Sequence, residues 1–396
     1  MPRRAVVRAR RLPINCSVLM VTTVPITLEA FLLPFARHFR GLGWRVDALA
    51  NDASSNPWLD GEFGARFDVG WSRDAAAPSN LIGTPRNVRR IIMAGGYDIV
   101  HVHTPVAAFV TRFALRSIPA DKRPAIIYTA HGFHFYEGQD AASHALFRSM
   151  ERLAAPWTDF LVTVNQEDFE AAASLGGLPA SRVRHIPGIG VDTHRFSPDA
   201  TPADDARSVR QELNISAEEF MLTMIAELAP VKRHDHLLRA LARVQDPRVV
   251  LVLVGTGHLE PKLRELAVAL GVANRVRWAG YRRDIPAVLA ASDAAALVSE
   301  REGLPRSVLE AMATGVPVIG TDTRGITDAI GDEAGWVVAK NDTVALGAAI
   351  EQAAADPVQL ASRGRAARER ALERFALTRI ISEYEDLYRE ALASHV

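Results

Sequence analysis

The sequence predicts an α/β protein made of two successive parallel sheets, each covered by helices. Three observations predict it. The chain has 396 residues, which at roughly 150 per domain implies two or three domains. Forty-eight per cent of the residues are hydrophobic and 23% charged, the balance of a globular chain and not of a disordered one. Short apolar runs alternate with segments of helical periodicity, in two blocks separated by the proline- and aspartate-rich stretch SPDATPADDA at 197–206.

The first block opens on a buried strand expected over 14–24. A helix over 27–40 follows, with Leu28, Phe31, Leu32, Phe35 and Phe39 on its apolar side and Gly41 and Gly43 to stop it. Strands are then expected over 44–50, 99–103, 125–130, 160–164 and 183–187. Helices are expected over 84–94, 106–116, 143–154 and 167–174. The stretch 197–206 reads as an exposed crossing between domains. The second block places strands over 220–226, 249–254, 276–279, 294–298, 316–320 and 335–338. Its helices fall over 234–245, 259–270, 285–290, 306–313, 326–330, 342–354 and 357–373. In the tail 376–392, Ile380, Tyr384, Leu387 and Ala391 share one helical face, suited to packing back on the first domain. The expected domains are 12–196, 197–375 and the crossing helix 376–396. Parallel sheets of this kind bind ligands beyond the carboxyl ends of their strands.

Composition narrows the function. Basic and acidic residues number 46 each, which argues against a dedicated nucleic-acid binder. Residues 1–190 hold 21 basic and 16 acidic side chains and the remainder 25 and 30, so the first half suits an anionic partner. The single cysteine, Cys16, excludes an intrachain disulfide framework and an all-cysteine metal cage. Residues 3–11 carry five arginines ahead of CSVLMVTTVPITL, but no small-x-small cleavage site follows and the apolar run is too short to span a bilayer. The expectation is a cytoplasmic protein that touches the inner face of the membrane peripherally. Arg86, Arg89 and Arg90, just before Ile91-Ile92-Met93, suit an anionic membrane surface, although ordinary solvated helix positions explain them equally well. The oligomeric state is not legible.

The segment SEREGLPRSVLEAMATGVPVIGTD at 299–322 carries the densest chemical signal. A loop with Glu302, Gly303 and Leu304 leads into a helix, with Pro305 in its first turn and Ser307 as a local cap. Backbone N–H groups at such a start form an anion site. Glu302 in the loop and Glu310 on the helix can accept hydrogen bonds from two separate hydroxyl clusters, the second a ribose diol; solvent-facing carboxylates are the plainer alternative. The GTG turn at 255–257 follows a strand and allows close approach, but it lacks the full dinucleotide pattern, and no lysine-serine phosphate loop occurs. His101 and His103 share a strand face without an evident third ligand, and His234 and His236 sit together, so no metal site is expected. The absence of Asp-x-Asp argues against a metal-bridged diphosphate.

This segment resembles the glutamate–x7–glutamate signature of glycosyltransferase family 4. YTAHGFHFY (128–136), VNQEDFE (164–170), HIPGIGVDTHRF (185–196), ELAPVKRHDHLL (227–238), VLVGTGHLEPKL (252–263) and WAGYRRDIPAVLAASD (278–293) are similar to the same family in order, over nearly the whole chain. The HGFHFY and REGLP wording resembles enzymes of capsular and exopolysaccharide assembly. The resemblance implies the GT-B fold: two Rossmann-like domains facing across a cleft, with a C-terminal helix crossing back to the first. It implies a retaining, metal-independent transfer of a hexosyl or N-acetylhexosaminyl group from a nucleotide-diphosphate sugar, with UDP the commoner nucleotide. No cofactor is implied. The implied acceptor is a polyprenyl-diphosphate-linked saccharide.

Carried over residue by residue, the resemblance implies that Glu302 binds donor-sugar hydroxyls and that Glu310 binds the ribose. Gly303 and Leu304 offer backbone N–H groups, and Lys232 neutralises the departing diphosphate. Arg282 or Arg283 flanks base or phosphate, Gly255 comes close to the donor, and His131 faces the transferred sugar. The chain departs from the family where an arginine usually stands five residues before the lysine: that position is Glu227, with Arg283 the candidate for the missing charge. The usual glycine pair after the first strand is replaced by TTVPITLEAF at 22–31, leaving Thr23 and Thr27 for the acceptor. Rival readings are a transferase for a soluble small acceptor, a nucleotide-sugar epimerase of the same fold, and a non-catalytic sugar-nucleotide binder.

Overall fold

The computed structural model describes residues 15–72, 78–80, 82–136 and 139–395. The basic run at 3–11 and the start of the strand expected from residue 14 lie outside the described residues. Thirteen strands are present among them: β1 (Ser17–Val21), β2 (Arg45–Ala50), β3 (Arg66–Asp68), β4 (Ile99–His103), β5 (Ala125–Ala130), β6 (Phe160–Thr163), β7 (Val183–His185), β8 (Phe220–Ile225), β9 (Val249–Val254), β10 (Val276–Gly280), β11 (Ala294–Leu297), β12 (Val318–Thr321) and β13 (Gly335–Val338). They form a seven-stranded sheet of order β3-β2-β1-β4-β5-β6-β7 and a six-stranded sheet of order β10-β9-β8-β11-β12-β13. The ladders from β3 to β6 and across the whole second sheet run parallel. The central strands β1, β4, β5 and β9 are buried along their full length. Burial on both faces is why β9, VVLVLV, reads as an uninterrupted apolar run rather than as an alternating one, whereas β4, IVHVH, buries two histidines among its apolar residues.

The chain divides into two compact units. One takes the described residues up to Thr163, Phe169–Arg184 and those from Ile381 onward; the other takes Val164–Asp168 and His185–Ile380. The core of the first gathers Leu19, Val100, Ile126 and Leu161 from its sheet with Val88, Ile92 and Val110 from its helices. The core of the second gathers Leu222, Leu251 and Ile319 with Leu237, Leu309 and Ile350, and includes Val191 and Phe196. The last helix, Leu377–Ala393, places Tyr384 and Tyr388 in the first unit. There Tyr388 stacks on Phe39 at 4.8 Å and its hydroxyl bonds His101 Nδ1 at 2.6 Å.

Three local expectations are corrected. The helix expected over 27–40 starts at Pro25 and passes through a wide turn at Leu28–Leu32 before the regular helix Leu33–Gly41. Pro34 has no N–H to give to the carbonyl four residues back, so the hydrogen-bond register widens just ahead of it. The crossing expected over 197–206 already contains the first turn of a helix, Ala203–Glu212. That helix buries only Val209, so it carries no apolar stripe to read. Edge strand β3 is three residues long with none buried, and it escaped notice for the same reason.

Candidate active site

The carboxyl end of the second sheet is built from loops that fit closely against one another. The loop after β8 runs beside the GTG turn: Ala226 N donates to Val254 O at 3.0 Å and Leu228 N to Thr256 O at 3.0 Å. Gly255 lies at φ +140°, and a Cβ there would stand 2.1 Å from Ala226 O; one on Gly257 would stand 2.4 Å from Leu228 O. Both glycines are therefore required by backbone packing against the loop that carries Glu227.

That loop ends in a tight turn, Pro230–Lys232, followed by Arg233 in the left-handed region and the helix His234–Leu241. Strands β8 and β11 are neighbours, so the loop after β11 lies alongside. Glu300 N donates to Val231 O at 2.9 Å. Lys232 Nζ donates to Glu302 Oε1 at 2.6 Å, with the two side chains 24% and 11% exposed. Two residues singled out separately by their motifs are thus a direct ion pair.

The loop then enters the helix Arg306–Ala313. Its cap position is Pro305 and no side chain caps it, so Ser307 does not play the expected part. Among the described residues the N–H groups of Gly303 and Leu304 have no hydrogen-bond partner. The Gly303 carbonyl, by contrast, accepts from Asn165 Nδ2 at 3.1 Å and is approached by Gly325, where a Cβ would stand 2.0 Å away. Unpartnered donors ahead of a helix start, one loop away from a lysine, are groups suited chemically to an anion. One turn into the helix, Glu310 is 8% exposed and accepts from Arg306 at 2.9 Å. Burial lifts its carboxyl above the usual carboxylate range, against the opposing pull of Arg306 and Arg195.

The two arginines after β10 differ. Arg282 is held by Asp284 at 3.0 and 2.5 Å and by Glu212 at 2.8 Å, with its side chain 11% exposed. Its charge is committed to those carboxylates. Arg283 is exposed.

In the first unit His131 follows β5. Its Nε2 lies 3.0 Å from His103 Nδ1, and its ring lies 5.4 Å from that of Phe31. The rings of His101 and His103 are 4.0 Å apart, and His101 Nε2 meets Thr129 Oγ1 at 2.8 Å. Because β4 and β5 are adjacent, His131 adds a third imidazole beside this strand pair. Burial pushes the imidazoles down, His131 to about 4 and His101 to about 3, so all three are neutral; His103 and His131 bond each other, while His101 bonds Tyr388 and Thr129. Among the described residues no three His, Cys, Asp or Glu side chains are grouped so as to hold a metal ion. Thr23 is engaged through both its N–H and its hydroxyl with Thr104 Oγ1, at 3.0 and 2.8 Å, and Thr104 itself lies at φ +62°. Thr27 closes the short first helix. Thr104, Asn165 and Arg195 are not singled out by the motif reading: Asn165 and Arg195 lie inside the matching stretches 164–170 and 185–196 without an assigned part, and Thr104 lies outside them. Arg86, Arg89 and Arg90 are exposed, whereas Ile91 and Ile92 are core residues and only Met93 of that trio is exposed. No helix among the described residues is long and apolar enough to cross a membrane.

Residues 28–195 match the family described as Glycosyltransferase Family 4, and residues 205–370 match glycosyl transferases group 1. A putative glycosyltransferase, EpsD of Bacillus subtilis strain 168, is 34% identical over 374 residues, covering 94% of this chain and 96% of EpsD. The UDP-Gal:alpha-D-GlcNAc-diphosphoundecaprenol alpha-1,3-galactosyltransferase of Escherichia coli is 28% identical over 298 residues, 74% of this chain and 75% of that enzyme. The crystal structure of Anabaena Alr3699/HepE in complex with UDP and glucose superposes with a TM-score of 0.78 at 22% identity, over 94% of this chain and 99% of that one. The chain belongs to glycosyltransferase family 4 and has the GT-B fold.

Proposed function

We propose that this protein is a retaining, metal-independent glycosyltransferase. It moves a hexosyl or N-acetylhexosaminyl group from a UDP-sugar to a hydroxyl of a polyprenyl-diphosphate-linked saccharide in polysaccharide biosynthesis. The observation that carries the reading is the contact of Lys232 with Glu302, the residue just ahead of the unpartnered N–H groups of Gly303 and Leu304. Breaking the bond between sugar C1 and a diphosphate puts negative charge on the leaving group. A lysine and helix-start donors stabilise that charge more than they stabilise the intact donor. Arg283 adds the second cation that Glu227 does not supply. Glu302 accepts from donor-sugar hydroxyls and Glu310 from the ribose, while His131, held neutral, offers an uncharged polar edge to the sugar. The leaving phosphate takes the acceptor proton at the donor's front face, so no strong protein base is needed. Support for the donor comes from HepE, solved with UDP-glucose, and for the acceptor from the E. coli relative, which acts on a diphosphoundecaprenol-linked sugar. EpsD, named a putative glycosyltransferase, supports the activity class.

The first unit binds the acceptor, and the exposed Arg86, Arg89 and Arg90 draw it to an anionic membrane surface. Sedimentation with anionic and neutral vesicles tests that part, and equal weak binding to both removes it. A soluble acceptor is the second reading, since another relative, from Bacillus anthracis, is an N-acetyl-alpha-D-glucosaminyl L-malate synthase. The deciding experiment is calorimetric titration with UDP- and GDP-sugars in the presence of EDTA. Product mass and anomeric configuration with undecaprenyl-diphosphate-linked N-acetylglucosamine or malate then follow. A lipid product one sugar heavier with the donor's anomeric configuration is expected. Product on malate alone selects the second reading. Donor conversion without any acceptor indicates an epimerase and overturns both.

A further inference from the structure

We infer that Arg233 is the positioning residue that sets the register between the loop carrying Lys232 and the loop carrying Glu302. The inference rests on the proposed roles of those two residues at the donor. Arg233 is a non-glycine residue in the left-handed region, at φ 49° and ψ 42°, a conformation that persists only where surrounding contacts hold it. Its guanidinium makes those contacts on three sides. One amino group bonds the carboxylate of Glu300 and, at 3.1 Å, Asn341 Oδ1. Nε donates to Asp235 Oδ1 at 3.2 Å, and the second amino group contacts His236 Nε2 and, at 3.5 Å, Asp235 Oδ2.

The chain positions make this a clamp. Arg233 immediately follows Lys232, and Glu300 lies two residues before Glu302. The Arg233–Glu300 pair and the backbone bond from Glu300 N to Val231 O, 2.9 Å, therefore hold the two loops together next to the Lys232–Glu302 pair. When a diphosphate draws Lys232 away from Glu302, the Arg233 clamp is what remains to keep both groups in place. A planar fork can hold several partners at fixed angles, which a lysine in its place cannot. The clamp is also open to small solutes: Arg233 and Glu300 line a cavity of about 350 Å³ with apolar walls from Leu259, Leu263 and Leu266.

Arg233→Gly removes the guanidinium and, at the same time, the left-handed backbone penalty, so the fold is not what is lost. With the full-length protein, the donor selected by the screen and undecaprenyl-diphosphate-linked N-acetylglucosamine, kcat of Arg233→Gly falls about 10- to 100-fold. Donor KM changes less than kcat does, and the unfolding midpoint is not lowered. Arg233→Lys falls in between. Methylguanidinium, at concentrations that do not denature, enters the cavity and restores turnover to Arg233→Gly but not to Lys232→Ala. If Lys232→Ala is inactive while Arg233→Gly keeps native kcat, the clamp is refuted and the site reading stands. Loss without methylguanidinium rescue and with a lowered unfolding midpoint refutes it as well, since the role is then structural. If Lys232→Ala keeps native turnover, the donor-site reading itself fails.

Discussion

Replacing Glu302 with glutamine should move nucleotide binding and turnover in opposite directions. In the free protein Lys232 Nζ is bonded to Glu302 at 2.6 Å, so a diphosphate has to win the lysine from a carboxylate already in place. The size of that competition follows from burial. Exposed ion pairs contribute about 0.2–1 kcal/mol, and hydrogen bonds to charged groups about 1.5–3 kcal/mol. With side chains 24% and 11% exposed, this pair lies between those limits, at about 1–2 kcal/mol. Glu302→Gln keeps the shape and removes the charge, so UDP should bind about 5- to 30-fold more tightly. Turnover of the UDP-sugar should fall about 100-fold, because the carboxylate that accepts from the donor sugar is gone. Calorimetric titration with UDP at low salt reads the first effect and UDP release with acceptor reads the second. The gain in affinity should shrink as salt rises. Unchanged or weaker UDP binding by Glu302→Gln would refute the competition, and equal losses in both measurements would refute the sugar-facing role.

Three further outcomes are expected. Glu310→Gln should weaken UDP by about 1–3 kcal/mol and leave 2′,3′-dideoxy-UDP affinity unchanged; equal losses for both ligands would remove the ribose assignment. Burial holds the His131 imidazole down to about 4, so no limb of the pH–rate profile near pH 6.5 should come from it, and imidazole NMR should show it neutral at pH 6. Because its folded pKa lies below its unfolded one, the protein should lose stability as pH falls from 6.5 towards 4, and His131→Asn should reduce that loss. Tyr388→Phe strips His101 Nδ1 of its 2.6 Å partner in a fully buried site, which should cost about 1–3 kcal/mol in urea unfolding; a native midpoint would show that the last helix does not depend on that bond.

How much of this was legible depends on the range of the interaction concerned. The strands Ala125–Ala130 and Val249–Val254 and the helix Arg306–Ala313 were plain in the sequence, because burial of a whole segment leaves an apolar run or a helical stripe within a few residues. The polar helix Ala203–Glu212 and the three-residue edge strand bury too little to leave such a mark. Lys232, Glu302, Glu310 and His131 were each legible from motifs, but not their partners. The Lys232–Glu302 bond spans 70 residues, and the His103–His131 contact 28. Both exist because the sheets set β8 beside β11 and β4 beside β5. The contacts of Arg233 were hidden for the same reason, since Glu300 and Asn341 reach it only across that strand order. Local periodicity records which face of a segment is buried. Only tertiary structure decides which loops meet at the carboxyl ends of the strands, because strand order is set by packing across the whole sheet and leaves no trace in any single stretch of chain.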